Sequence, residues 1–152
     1  MSEAYIIGAD MIAFGRYPDR TPAQLGGEAA LMALDDCGLT IDDVEVFYTG
    51  SSFTAAASMS QQIMREIGQT GIPCVNVSNA CATGSTAFRE AYFSVASGAF
   101  DVALAVGVEQ MGKMGLLGGG VLMEPMEVKT VGRMAVIRDP QGAALSVIQY
   151  TG

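Results

Sequence analysis

One cysteine stands where strand-like sequence gives way to helix-like sequence. In Val77-Ser78-Asn79-Ala80-Cys81-Ala82-Thr83-Gly84-Ser85-Thr86-Ala87, Cys81 follows the apolar, β-branched run Ile72-Pro73-Cys74-Val75-Asn76-Val77. It precedes Ser85 to Gly98, where Ala87, Phe88, Ala91, Tyr92 and Val95 recur at helical spacing. Cys81 therefore falls near a predicted helix N-terminus. There, unpaired amide hydrogens and the positive end of the helix dipole favour the thiolate, the nucleophilic form of the side chain. Gly84 and its small neighbours would let a substrate carbonyl approach the backbone closely. A buried structural thiol is the alternative reading, because free cysteine is among the most buried residue types.

The elements that must position this residue alternate as in an α/β fold. Ala4 to Ala9 reads as a strand, and Thr21 to Cys37 as a helix with Thr21 as N-cap, Pro22 in the first helical position and Gly38 past its end. Gly26 and Gly27 cost that helix about 1 kcal/mol each relative to alanine, so either something approaches closely there or the helix is weak. Val44 to Thr49 reads as a strand, Ser58 to Ile67 as a helix, Cys74 to Val77 as a strand, Thr83 to Ser97 as the helix behind the cysteine, and Val102 to Gly107 as a strand. Strands separated by helices imply parallel pairing with right-handed crossovers.

With 152 residues the chain can form one domain, or one domain with a fragment attached. Its net charge of -8 argues against nucleic acid and anionic membranes as partners, since both attract basic patches. Three cysteines without framework spacing read as reduced thiols in a cytoplasmic protein, with Cys37 and Cys74 as packing residues. No apolar run approaches the ~18 residues that a membrane span needs, and the polar N-terminus does not read as a signal peptide.

The segment Asn79-Ala80-Cys81-Ala82-Thr83-Gly84-Ser85, with the later Ala96-Ser97-Gly98-Ala99-Phe100-Asp101-Val102 and Gly107-Val108-Glu109-Gln110-Met111, strongly resembles the thiolase family. It is most similar to the thiolases related to sterol carrier protein X and lipid-transfer proteins. The resemblance runs from about Ala4 to about Gly118. It implies a layered α/β fold of the thiolase N-terminal half with a mostly parallel sheet, occupying 1–118.

The register changes at Gly115-Leu116-Leu117-Gly118-Gly119-Gly120. Beyond it, residues 119–152 read as β-rich runs, with Asp139-Pro140-Gln141-Gly142 as a turn joining a short C-terminal β-hairpin appendage. This tail resembles the last strands of a glyoxalase-like module of the vicinal oxygen chelate superfamily, which would make the chain chimeric with the glycine run as its seam. No metal site is expected there: the chain has no histidine, and Glu124 and Glu127 read as solvated charges around a proline.

The thiolase resemblance implies that an acyl-CoA transfers its acyl group to Cys81, as the nucleophile of an acyltransferase in lipid metabolism. It puts Asn79, Gly84, Glu109, Met111 and Gly112 near the substrate. No cofactor is implied, the coenzyme A thioester being the substrate. In the family, two histidines and a second cysteine from a C-terminal half complete the condensation, and none of these maps onto this sequence. General acid/base catalysis contributes about 10²–10⁴-fold and each oxyanion donor about 10²–10³, so condensation by these residues alone would be impaired while slow acylation could survive. The resemblance also implies a homodimer through Pro73 to Val77, against an ordinary central strand as the plainer reading. It further allows a small zinc-bearing OB-fold partner. A reading of another class is a non-catalytic thiolase-like fragment that binds or oligomerises through apolar faces.

Overall fold

The computed structural model describes residues 3–53, 57–111, 120–128, 132–138 and 144–149. The chain divides into two compact units, one formed by residues 1–13 and 20–109 and the other by 14–19 and 110–152.

In the first unit, α1 (Pro22–Asp36) begins with a reciprocal cap, in which Gln24 N donates to Thr21 Oγ1 at 3.2 Å and Thr21 N donates to Gln24 Oε1 at 2.9 Å. It ends at Cys37, beyond which Gly38 takes a positive φ of 70° and Leu39 N closes back on Leu34 O at 2.9 Å. A 3₁₀ turn, Ile41–Asp43, leads into β1 (Val46–Gly50). Then come α2 (Met59–Ile67), β2 (Cys74–Val77), α3 (Thr83–Ala96) and β3 (Ala103–Gly107).

The three strands form a parallel sheet in the order β2-β1-β3, as the alternation of strands and helices predicts. Every residue of the central strand β1 is buried, whereas β2 is a partly exposed edge. Val46 and Tyr48 on one face of β1 pack with Ala87 and Ala91 of α3. Strand alternation turns Phe47 and Thr49 to the opposite face, and both are fully buried.

The two glycines inside α1 mark its closest approach to α2. A Cβ at Gly26 would stand 2.7 Å from Ile63 Cδ1, and one at Gly27 would stand 3.0 Å from Ile67 Cγ2. Their cost in helix propensity is offset by close packing between the two helices. Asn76 joins β2 to the start of α2, its Oδ1 accepting Ser60 N at 2.8 Å and its Nδ2 donating to Gln61 Oε1 at 2.9 Å.

The strand expected over Ala4 to Ala9 does not form. Tyr5, Ile6 and Ile7 are 74, 70 and 59% exposed, and Ala9 N donates to the Asp36 carboxylate at 3.0 Å rather than to a ladder. Gly8 presses against Ala33 O and Cys37 at the end of α1, which fixes this segment to a helix terminus. A β-branched run becomes a strand only when it pairs with another strand, and this segment joins none of the strands of the sheet.

In the second unit, β4 (Gly120–Val128), β5 (Gly132–Arg138) and β6 (Ala144–Gln149) pair antiparallel in the order β4-β5-β6. The β4–β5 register shifts between Met123 and Met126, the interval containing Pro125, which has no amide hydrogen for a ladder. The turn expected over Asp139 to Gly142 lies outside the described residues.

Candidate active site

Because β1, β2 and β3 run parallel, the segments that leave them emerge along one edge of the sheet, where open α/β folds place their ligands. Ser51 and Ser52 follow β1, Ser78 to Ala82 follow β2, and Glu109 follows β3. Three glycines allow α3 to begin directly on this edge. A Cβ on Gly50 would be 2.6 Å from Thr83 O, and one on Gly107 would be 3.2 Å from Gly84 Cα, so strand and helix meet backbone to backbone.

Cys81 is exposed and lies two residues ahead of Thr83, the first residue of α3. The N-cap is Ala82, which makes no side-chain capping hydrogen bond. An alanine N-cap offers the first-turn amides no side-chain acceptor of its own. The other two cysteines are half-buried. Cys37 Sγ donates to Leu34 O at 3.3 Å, and burial pushes the Cys74 thiol up from its ordinary value.

The turn around Cys81 is heavily braced. Ala80 has φ +45°, a left-handed conformation that costs a Cβ-bearing residue about 1–2 kcal/mol. Its carbonyl oxygen accepts Thr83 Oγ1 at 2.6 Å, Ser52 Oγ at 2.6 Å and Thr83 N at 3.2 Å. Ser52 Oγ and Thr83 Oγ1 are themselves 3.0 Å apart, so two hydroxyl hydrogens serve a triangle of three oxygens. Asn79 N donates to Thr83 Oγ1 at 2.7 Å and Asn79 Nδ2 to Thr86 Oγ1 at 3.0 Å.

Glu109 anchors the other end of this network. Its Oε1 accepts Ser51 Oγ at 2.9 Å, Phe53 N at 3.3 Å and also Ser52 N.

Among the residues singled out from sequence, Asn79, Cys81 and Gly84 come together in the turn, and Glu109 joins them through the 51–53 segment. The missing side chain of Gly84 faces Gly107 Cα at 3.9 Å, so its smallness serves the packing of α3 on β3. Met111 belongs to the second unit, where it is 37% exposed, and Gly112 lies outside the described residues. Arg89 is paired with Glu90 at 2.7 Å on the surface of α3. Among the described residues no three His, Cys, Asp or Glu side chains are grouped to hold a metal, and no helix is long and apolar enough to cross a membrane.

Ser51, Ser52, Ala80 and Thr83 were not singled out from the sequence. The signal for Ser51 and Ser52 there is small polar residues following a predicted strand, a pattern common to many loops, while Ala80 and Thr83 lie within the motif that carries the resemblance.

Residues 4–129 match the family model described as the thiolase N-terminal domain, a match that takes in β4 and stops ahead of β5. The chain is 36% identical over 115 residues to an acetyl-CoA acetyltransferase of Methanocaldococcus jannaschii, covering 73% of this chain and 29% of that protein. It is 36% identical over 112 residues to non-specific lipid-transfer protein-like 2 of Caenorhabditis elegans, covering 72% and 27%. With sterol carrier protein 2 of Gallus gallus the identity is 35% over 122 residues, covering 76% and 21%. The chain thus spans less than a third of the length of these curated relatives. Among solved structures, 3-oxoacyl-[acyl-carrier-protein] synthase III from Aquifex aeolicus superposes with a TM-score of 0.58 at 18% identity, covering 64% of this chain and 32% of that one, a likeness of fold.

Proposed function

The chain belongs to the thiolase family, and from that premise we propose that it accepts an acyl group from an acyl-CoA onto Cys81. The observation that carries this reading is an exposed thiol just ahead of a helix whose N-cap is alanine, at the edge of the sheet where the parallel strands end. In the step proposed, the Cys81 thiolate attacks the thioester carbonyl, a new sulfur–acyl bond forms, and coenzyme A leaves as its thiolate, which takes up a proton. First-turn amides of α3 near Gly84 supply partial support to the carbonyl oxygen as it becomes negative. Asn79 orders the turn from within.

Condensation with a second acyl-CoA needs a base at the α-carbon and a stronger oxyanion site. This polypeptide contains no histidine, so on its own it is expected to acylate and to condense poorly. The names of the relatives, acetyl-CoA acetyltransferase and sterol carrier protein 2, support short acyl-CoA as the first substrate to try and lipid metabolism as the setting. The open β2 edge supports a homodimer through Pro73–Val77, and a zinc-bearing OB-fold partner belongs to the same family reading. Three free thiols support a reducing, cytoplasmic compartment.

The test is intact-mass and peptide mass spectrometry after incubation with acetyl-CoA. An acetyl adduct on Cys81 that disappears in Cys81→Ala is the expected result. No adduct, or an equal adduct in the variant, defeats the proposal.

A second reading is favoured by the outer face of α3, where Phe88, Tyr92 and Phe93 are about half exposed and Tyr92 and Phe93 pack edge to face, centroids 5.5 Å apart. An apolar face of this kind suits a binding or assembly module without turnover. Size-exclusion chromatography separates the two: oligomers without Cys81 acylation favour assembly, and a monomer that acylates favours the enzyme.

A further inference from the structure

We propose that Ser52 and Glu109 are positioning residues, which hold Ala80 in its left-handed conformation and so set the direction in which Cys81 leaves the turn. The inference rests on the reading of Cys81 as the nucleophile and gives Glu109 a role other than substrate contact.

Ala80 immediately precedes the cysteine, and its φ of +45° is unfavourable for any residue with a Cβ. Such a conformation persists only where its surroundings over-determine it. Among the described residues three hydrogen bonds converge on Ala80 O, and two of them come from Thr83, within the turn itself. The third, from Ser52 Oγ at 2.6 Å, is the one that comes from outside the turn, from the segment that follows β1.

Ser52 can act as a brace only if it is itself fixed. Its amide is held by Glu109 Oε1, which also takes Ser51 Oγ and Phe53 N, so one carboxylate oxygen gathers three successive residues. The path is continuous: Glu109 follows β3, Glu109 fixes Ser52, Ser52 fixes Ala80, and Ala80 aims Cys81. Breaking either link lets Ala80 relax toward negative φ and changes the direction in which the sulfur leaves the turn.

The test measures the placement of the sulfur without asking for acyl transfer. Iodoacetamide is reacted with the whole chain, and the rate at Cys81 is read by peptide mass spectrometry. Ser52→Ala and Glu109→Ala are expected to slow that rate by about tenfold or more, since the reactivity of a cysteine follows the electropositive surroundings in which its sulfur is held. Glu109→Gln and Ser52→Thr keep an oxygen in place and are expected to stay within about threefold of the parent.

The deciding variant is Ala80→Gly. Glycine takes positive φ without strain, so the brace becomes dispensable, and Ser52→Ala combined with Ala80→Gly recovers the parent rate to within about threefold. A role limited to general stability would not be rescued there, because the lost hydrogen bond stays lost. An unchanged rate in a folded Ser52→Ala, or no recovery in the double variant, overturns the proposal. Where Ser52→Ala alone does not fold, the double variant decides: folded and reactive supports the inference, unfolded or unreactive overturns it. A wild-type chain that labels normally with iodoacetamide but gains no acetyl group defeats the acyl-transfer reading and leaves this measurement standing.

Discussion

Gly50 at the end of β1 and Thr83 at the start of α3 touch through their backbones: a Cβ on Gly50 would lie 2.6 Å from the Thr83 carbonyl oxygen and 2.8 Å from its carbon. Neither atom belongs to a flexible side chain, so nothing at this contact can swing aside. The helix that carries the candidate nucleophile turn is seated on the sheet by the absence of a methyl group.

Gly50→Ala is therefore expected to push α3 away from β1 and to destabilise the chain by about 1–3 kcal/mol, the ordinary cost of overpacking. Urea denaturation followed by circular dichroism measures it. A midpoint equal to that of the parent would show that the helix can move without cost.

Gly26→Ala tests the opposite case. Its new Cβ would meet Ile63 Cδ1 at 2.7 Å, the far end of a side chain that can change rotamer, while alanine recovers about 1 kcal/mol of helix propensity. The two effects are similar in size, so the net change is expected to stay within about 1 kcal/mol. A loss as large as that of Gly50→Ala would mean that Ile63 is locked.

Alkylation should discriminate among the cysteines. Cys81 is exposed and labels first, whereas Cys74 is half-buried and its thiol is raised from 9.0 by that burial. Labelling of Cys74 in the folded chain is thus expected only as the pH climbs above 9.0, later than in the urea-unfolded chain. The linkage has the same sign: between the unfolded and the higher folded value the unfolded chain releases this proton first, so the contribution of Cys74 to stability is complete below 9.0 and declines as pH rises through the folded value. Equal labelling profiles in folded and unfolded chains would remove the effect.

Asp43 gives the acid-side counterpart. Its carboxylate accepts Thr40 N at 2.8 Å and Thr40 Oγ1 at 2.9 Å, and these bonds lower it from 3.8. The stabilisation is present above 3.8 and is lost as the pH falls through the lowered folded value. Urea midpoints compared across that range should fall less steeply for Asp43→Asn than for the parent. Parallel curves would show that the 3₁₀ turn does not depend on the charge.

Much of the scaffold was legible in the sequence because it rests on local signals. Thr21, Pro22 and Gly38 bound α1, and the alternation of helices with short β-branched runs gave a parallel sheet. The segment at Tyr5 to Ile7 shows what local pattern cannot supply: its composition suits a strand, but strand formation depends on a neighbour that the sequence does not announce. The same holds within the candidate site. Cys81 stands out by type and place, whereas Ser52 matters through one hydrogen bond to Ala80, 28 residues away, and nothing about an isolated serine predicts it. The left-handed φ of Ala80 was equally hidden, since alanine is the residue least suggestive of such a conformation.

The order of strands also has a kinetic consequence. β1 must wait for β2, and then for β3, before both of its edges are paired, and the bond from Ser52 N to Glu109 closes a loop of 57 residues. Contacts of such long range form late, because closure entropy is lost before they repay it. The surroundings of Cys81 are accordingly unfinished on a nascent or partly refolded chain until the third strand arrives.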